Sequence, residues 1–306
     1  MNRKISATSA MLCATLIWGV SFSAQKTAME YLTPLVFTTM RSLLGAISLL
    51  PVILIADKSN GTPFSFFGRC KTPAERKTLL RGGVFCGIFL TGGLVLQQWG
   101  LSMSTAGKTG FLTALYIIIV PVLGMLFFKR KTGIILWLAA IIALAGAYML
   151  CSGGTSGTLT TGDFLVIMCA FVYSLHVLTI DHYAPQTDCL RMSCIQFITA
   201  TLLAALLSLI IPGNPWTPEA LYSAFWLILY CGIFAGGAGF TLQIIAQKHL
   251  HPATAALLMS LESVFSVIGG WLILNEHLSG REMLGCAVIF LAVIIAQIPA
   301  GKPLPA

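Results

Sequence analysis

The chain is a succession of apolar stretches, each broken by a few polar or turn-forming residues. A helix that crosses the hydrocarbon of a bilayer needs about 20 apolar residues. Ten stretches reach or approach that length: 7–26, 35–56, 79–99, 106–128, 133–151, 163–180, 190–211, 221–245, 254–274 and 282–299. The breaks carry turn chemistry. Thr33-Pro34 precedes the second stretch, Ser152-Gly153-Gly154 closes the fifth, and Pro212-Gly213-Asn214-Pro215 follows the seventh. The pattern predicts an all-α integral membrane protein with ten transmembrane helices. Residues 152–162 hold Gly, Ser and Thr with no charge, which suits a flexible join. The expected organisation is five helices in 1–151, a linker over 152–162, five helices in 163–299 and a short tail over 300–306.

The two halves resemble each other. Cys86-Gly87-Ile88-Phe89 in the third stretch recurs as Cys231-Gly232-Ile233-Phe234 in the eighth. Both copies run on into paired glycines and then a Leu-Gln step, Leu96-Gln97 and Leu242-Gln243. At a register of 146 residues the match continues, pairing Leu112 with Leu258, Leu115 with Leu261, Gly124 with Gly270 and Ala140 with Cys286. Five is an odd number, so equivalent helices cross in opposite directions. The expectation is two inverted five-helix repeats, an architecture secondary transporters use for alternating access.

Composition excludes several classes. Of 306 residues 57% are hydrophobic and 9% charged, with a mean hydropathy of +0.89. Soluble domains run near 25% charged, so a soluble enzyme, a nucleic-acid binder and a disordered scaffold are all poor fits. The net charge of +8 is a topology signal. With the N-terminus inside, 14 of the 18 basic residues fall on the inner side, including Arg3, Lys4, Lys58, Arg69, Arg76 and Arg191. Lys26, Lys108 and Arg281 fall outside, and Arg41 lies within a span. A multi-pass protein of the plasma or bacterial inner membrane is expected, with both termini cytoplasmic. The first stretch is long enough to span and lacks a cleavage site, so no cleavable signal peptide is expected. The nine cysteines include no CxxC pair and read as small apolar fillers. No GxxxxGK[ST] or HExxH occurs, so ATP drive by this chain, hydrolytic metal chemistry and a metal site are not expected.

The polar residues inside spans are the candidates for chemistry, because charge there is expensive. Arg41 lies about six residues into its stretch, roughly 9 Å deep; it suits an anionic group or a structural pair. Glu262 lies near the middle of the ninth stretch and suits a cationic group, a coupling proton or a helix-joining hydrogen bond. Its repeat equivalent is Tyr116. Gln97, Gln98 and Gln243 interrupt glycine-rich spans, and Gln196 is the equivalent of Arg41; each needs a partner or water. Trp18 and Tyr173 occupy equivalent places and suit packing or a cavity wall. His176 is the only histidine well inside a stretch and suits packing or a proton relay. Lys108 suits either an outer anion attractor or a solvated helix start. Gly83 and Gly87, with Gly232 and Gly236, have the GxxxG spacing of close helix contact.

Several motifs are familiar. Ile17-Trp18-Gly19 followed by Phe22, Pro34 and Arg41 resembles the opening of an EamA-type repeat of the drug/metabolite transporter superfamily. Thr105 to Leu112, then Leu115-Tyr116 and Pro121, is similar to that family's fourth helix. His251-Pro252-Ala253 through Leu261-Glu262, Asn275-Glu276 and Gly285 resembles its ninth and tenth. Lys129-Arg130-Lys131 departs from the family's Gly-Glu-Arg-like turn, and Ser263 stands where the family often has proline. The resemblance implies a secondary transporter of a small organic metabolite, an amino acid or related compound moved outward, with a central cavity walled by both repeats and no cofactor. It also places Arg41 at the family's arginine position. A sugar-phosphate or nucleotide-sugar exchanger is the alternative within the superfamily; a membrane-embedded enzyme or sensor is the alternative outside it. The expected partners are a small-molecule substrate and the lipid bilayer, not nucleic acid. Proton coupling and a homodimer are both left open.

Overall fold

The computed structural model of the chain describes residues 3–68, 70–104, 106–129, 132–151, 160–274 and 279–297. Arg69, Thr105, Arg130, Lys131, most of the linker, Asn275, Glu276, Lys302 and the tail lie outside the described residues, as does the side chain of Lys108. All regular structure among the described residues is helical. The first half holds α1 (Arg3–Ala28), α2 (Pro34–Ser59), α3 (Pro73–Met103), α4 (Ala106–Thr113), α5 (Tyr116–Phe128) and α6 (Ile134–Cys151). The second holds α7 (Thr161–Tyr183), α8 (Cys189–Ile210), the short α9 (Pro218–Ser223) and α10 (Phe225–Leu229), a π-helical segment Tyr230–Phe240, then α11 (Thr241–Gln247), α12 (Pro252–Met259), α13 (Leu261–Leu274) and α14 (Gly280–Gln297). Seven helical stretches among the described residues are long and apolar enough to cross a membrane, and Ile134–Met149 and Pro252–Ile268 are shorter apolar helices.

Local chemistry sets where the helices begin. α3 starts six residues ahead of its apolar stretch because Thr72 and Glu75 form a capping box: Thr72 Oγ1 accepts from Glu75 N at 3.2 Å, and Glu75 Oε2 accepts from Thr72 N at 3.4 Å. Thr160 and Asp163 repeat the device at α7, with bonds of 2.7 and 3.3 Å. Pro34 stands at the first turn of α2, where its missing N–H costs nothing.

Three expected spans are not continuous α-helices. The fourth breaks at Ala114–Leu115, where Leu115 N bonds to Leu112 O at 3.3 Å and Ile117 N to Ala114 O at 3.0 Å. The ninth breaks at Ser260, where Ser263 N bonds to Ser260 O at 3.2 Å. In both, the hydrogen bonding tightens locally from four residues to three. The eighth passes through eleven residues of π-helix, YCGIFAGGAGF. Four glycines there remove the side-chain crowding that would hold an ordinary pitch.

The two halves interleave. α1 packs on α13, α11 and the π-helical segment, α2 on α8 and the π-helical segment, α3 on α7 and α8, α5 on α7, and α6 on α14. Glycines let the close pairs approach. A Cβ on Gly87 would fall 2.5 Å from Thr199 Cβ and 2.7 Å from Gln196 O of α8. One on Gly232 would fall 2.6 Å from Leu44 Cβ and 2.9 Å from Arg41 O of α2. The outer surface is apolar, with Ile55, Leu126, Phe127, Leu209 and Trp226 all more than two-thirds exposed, as lipid contact requires.

Candidate functional site

The broken helices meet the halves' interface at one buried cavity. The space its lining residues surround is about 450 Å³, part of it open to solvent. α1 and α2 contribute Trp18, Gln25 and Arg41; α3 to α5 contribute Gln97, Thr113 and Tyr116. From the second half, α7 supplies Tyr173, His176 and Val177, and Phe240, Gln243, Met259 and Glu262 complete the wall.

Each helix break places one polar group at this wall. Tyr116 is the first residue of α5 and Glu262 the second of α13, so both project from the start of a half-helix. Gln97 and Gln243 stand on opposite walls with matching partners. Gln97 Nε2 donates to Thr113 Oγ1 at 3.4 Å, and Gln243 Nε2 donates to Met259 Sδ at 3.6 Å. Tyr173 Oη donates to Gln97 Oε1 at 3.3 Å. Gly93 and Gly239 make room for the large rings: a Cβ on Gly93 would lie 2.5 Å from Tyr173 Cε1, and one on Gly239 would lie 2.6 Å from Trp18 Nε1. The Trp18 indole N–H is held by Ala235 O at 2.8 Å, and its ring lies 4.9 Å from that of Phe240.

The charges are the unusual part of the wall. Arg41 is 4% exposed. Its Nη1 donates to Gln25 Oε1 at 2.8 Å, and its guanidinium sits 5.5 Å from the centre of the Phe37 ring. Gln25 is steadied in turn by Ser21 Oγ, 3.0 Å from its Nε2. Among the described residues no carboxylate pairs with Arg41, and Glu262 has no hydrogen-bond or ion-pair partner. A buried guanidinium offers five donors, and only one is committed to Gln25. A buried charge without a directly bonded counter-charge is costly; chemically, Arg41 can pair with an anionic group and Glu262 with a cationic group or a proton. The Trp18, Tyr173 and Phe240 rings between them suit an apolar or aromatic body.

Of the sequence candidates, Trp18, Arg41, Gln97, Tyr116, Tyr173, His176, Gln243 and Glu262 meet at this cavity. Gln196 stands one contact behind it, its Oε1 3.1 Å from His176 Nε2. Gln98 does not belong: it is fully buried away from the cavity, and neither amide atom has a partner among the described residues. A step of one residue turns a helix by about 100°, which carries Gln98 off the wall that Gln97 joins. Sequence reading missed Gln25, Thr113, Phe240 and Met259. Two of them, Thr113 and Met259, share the 146-residue register, but neither type stands out as a polar or charged candidate in an apolar stretch.

Comparison with known proteins places the chain in a family. The model of the EamA-like transporter family matches the chain twice, over residues 5–152 and 160–297. An uncharacterized transporter of Archaeoglobus fulgidus is 25% identical over 97% of this chain and 87% of its own length. The uncharacterized transporters YoaV and YwfM of Bacillus subtilis are 21% and 25% identical, covering 91% and 95% of this chain and 92% and 94% of their own. A solved protein structure superposes with a TM-score of 0.76 over 95% of this chain and 96% of that one, at 17% identity, which supports the fold alone.

Proposed function

Because the chain belongs to the EamA-like transporter family, we propose that it is a secondary transporter that moves a small zwitterionic metabolite, an amino acid or close relative, outward across the cytoplasmic membrane. The observation that carries this reading is the pair of uncommitted opposite charges, Arg41 and Glu262, on the wall of one buried cavity. A zwitterion supplies a counter-charge to each at once. A sugar phosphate would call for several cations, and among the described residues Arg41 is the only lysine or arginine on this wall. The outward direction rests on family resemblance.

The mechanism is alternating access by two inverted five-helix repeats, with ten spans in all and both termini cytoplasmic. Side-chain contacts support that reading. Gly87 meets Thr199 and the Gln196 carbonyl, while Gly232 meets Leu44 and the Arg41 carbonyl. Gly93 meets Tyr173, while Gly239 meets Trp18. Gln97 bonds Thr113, while Gln243 bonds Met259. Every member of the second set is the repeat equivalent of its counterpart in the first. Interrupted helices whose ends face the cavity are the form in which inverted-repeat carriers build their sites. In the empty carrier Glu262 holds a coupling proton, which the ammonium of the substrate replaces.

Flux into proteoliposomes containing only this chain tests the reading. Amino acids are offered beside analogues lacking either the amine or the carboxylate, with and without a pH gradient. Zwitterions should move fastest and compete with one another. Equal flux of the single-charge analogues, or preferential movement of sugar phosphates, would overturn it.

A further inference from the structure

A second cluster of charge lies apart from the cavity, where α2 and α7 end and α8 begins. Arg191 is 4% exposed, and all three of its guanidinium nitrogens donate hydrogen bonds. Nη2 donates to both Asp57 carboxylate oxygens at 2.8 and 2.6 Å. Nη1 donates to Asp188 Oδ2 at 2.9 Å. Nε and Nη2 donate to the Ser65 carbonyl at 3.1 and 3.0 Å. Gly68, at φ +58°, lies so close that a Cβ there would fall 2.5 Å from the guanidinium carbon. Asp57 and Ser65 belong to the first half of the chain, Asp188 and Arg191 to the second.

A polar seam leads from this clamp to the cavity. Ser193 and Gln196 follow Arg191 on α8, the latter about 7.5 Å further along at 1.5 Å per residue. Ser193 Oγ is 2.7 Å from Thr241 Oγ1, and Gln196 Nε2 donates to Ser193 Oγ at 3.5 Å. Gln196 reaches His176 on the cavity wall. One turn beyond Gln243, Gln247 donates to Val177 O at 3.2 Å and leaves its own Oε1 without a partner among the described residues. Polar groups that bridge helices in this way hold the bundle together, and they offer water or a polar solute a path through it once they separate.

From this arrangement we propose that Asp57, Arg191 and Asp188 form the gate that closes the cavity on the side where α8 begins, and that they separate when the solute passes on that side. The proposal rests on the transporter reading above. A buried ion pair is near break-even with its hydrated state, whereas an apolar plug of the same volume closes for good. An ion pair between the halves is therefore a latch that can open. The cluster does not serve as the solute site, because each guanidinium nitrogen of Arg191 is already engaged by the protein.

The test replaces the nine native cysteines and places one reporter in the seam, Ser193→Cys. A membrane-impermeant, positively charged methanethiosulfonate is then applied to vesicles of each orientation. Asp57→Asn should raise the labelling rate at least about tenfold from the α8-start side only, because a buried arginine left with only the partly exposed Asp188 as counter-charge favours the open, hydrated state. Asp57→Glu should keep the protection. The apolar double variant Asp57→Leu with Arg191→Met should stay folded by size-exclusion chromatography, resist labelling and lose at least about tenfold in flux. It decides the matter should Asp57→Asn not fold. Unchanged labelling in Asp57→Asn, equal gains from both sides, or wild-type flux in the double variant would overturn the gate. Absence of flux in the unmodified chain with the side-specific labelling intact would instead overturn the transporter reading alone.

Discussion

The glycines beneath the two cavity rings give a test that needs no knowledge of the substrate. In Gly93→Ala the new methyl would sit 2.5 Å from Tyr173 Cε1 and 2.6 Å from Cδ1. In Gly239→Ala it would sit 2.6 Å from Trp18 Nε1. Carbon contacts settle at about 3.5–4.0 Å, so each ring must retreat by about 1 Å. Overpacking of this kind costs about 1–3 kcal/mol. The retreat also strains one hydrogen bond in each case, Tyr173 to Gln97 or Trp18 to the Ala235 carbonyl, worth about 1 kcal/mol. Alanine's helix preference returns about 0.5–1 kcal/mol. The expected net loss is about 2 kcal/mol for each variant, and similar for the two because the sites are equivalent. Gly110→Ala is the control: its methyl would stand 3.8 Å from Ser263 Oγ, an ordinary contact, so it should gain about 0.5–1 kcal/mol. Unfolding in detergent micelles, by denaturant titration or thermal melting, reads all three. If Gly93→Ala and Gly239→Ala match Gly110→Ala, or only one of them falls, the account of matched ring seats is wrong.

Other expectations follow from single side chains. Arg41→Lys keeps the charge but loses the two-pronged fork, so it should weaken a carboxylate-bearing solute about tenfold or more while leaving an amine-only analogue unchanged; equal losses for both would refute a carboxylate contact at Arg41. Glu262→Gln should abolish stimulation of flux by a pH gradient while the protein stays folded, and an intact pH response would remove Glu262 from coupling. Gly68→Ala meets both a left-handed φ and the Arg191 guanidinium, so it should destabilise the chain by about 1–3 kcal/mol in the same micelle assay. Gln98→Leu removes two buried, unpartnered polar atoms and should stabilise by about 1–2 kcal/mol; a loss instead would mean that the amide holds a bound water or another group.

The family and the general course of the helices were legible because lipid exposure imposes a strong constraint: about 20 apolar residues per crossing. The self-similarity of the two halves was legible for a related reason, since close helix contact admits only small residues, as at Gly87 and Gly232. The helix breaks were not. Neither Ala114–Leu115 nor Ser260 carries proline or glycine, and hydropathy reads straight across them. The gate was missed because Asp57 and Arg191 stand 134 positions apart. Arg191 counted only as one more basic residue near the inner side, yet its guanidinium is buried. Burial by a partner distant in sequence leaves no trace in a charge count. The separation of Gln97 from Gln98 likewise depends on helix rotation against particular neighbours, which composition does not encode.

The matched positions around the cavity agree in place and differ in chemistry. Trp18 faces Tyr173 across the repeat, Arg41 corresponds to Gln196, and Tyr116 corresponds to Glu262. Two-fold likeness thus belongs to the backbone and its packing, while the charge pattern has an up and a down. Exchanging Arg41 with Gln196 and Tyr116 with Glu262 would write the same electrostatic pattern upside down on an unchanged frame. Under the proposed inverted repeat, which membrane face meets the guanidinium first is a property of four side chains rather than of the frame that holds them.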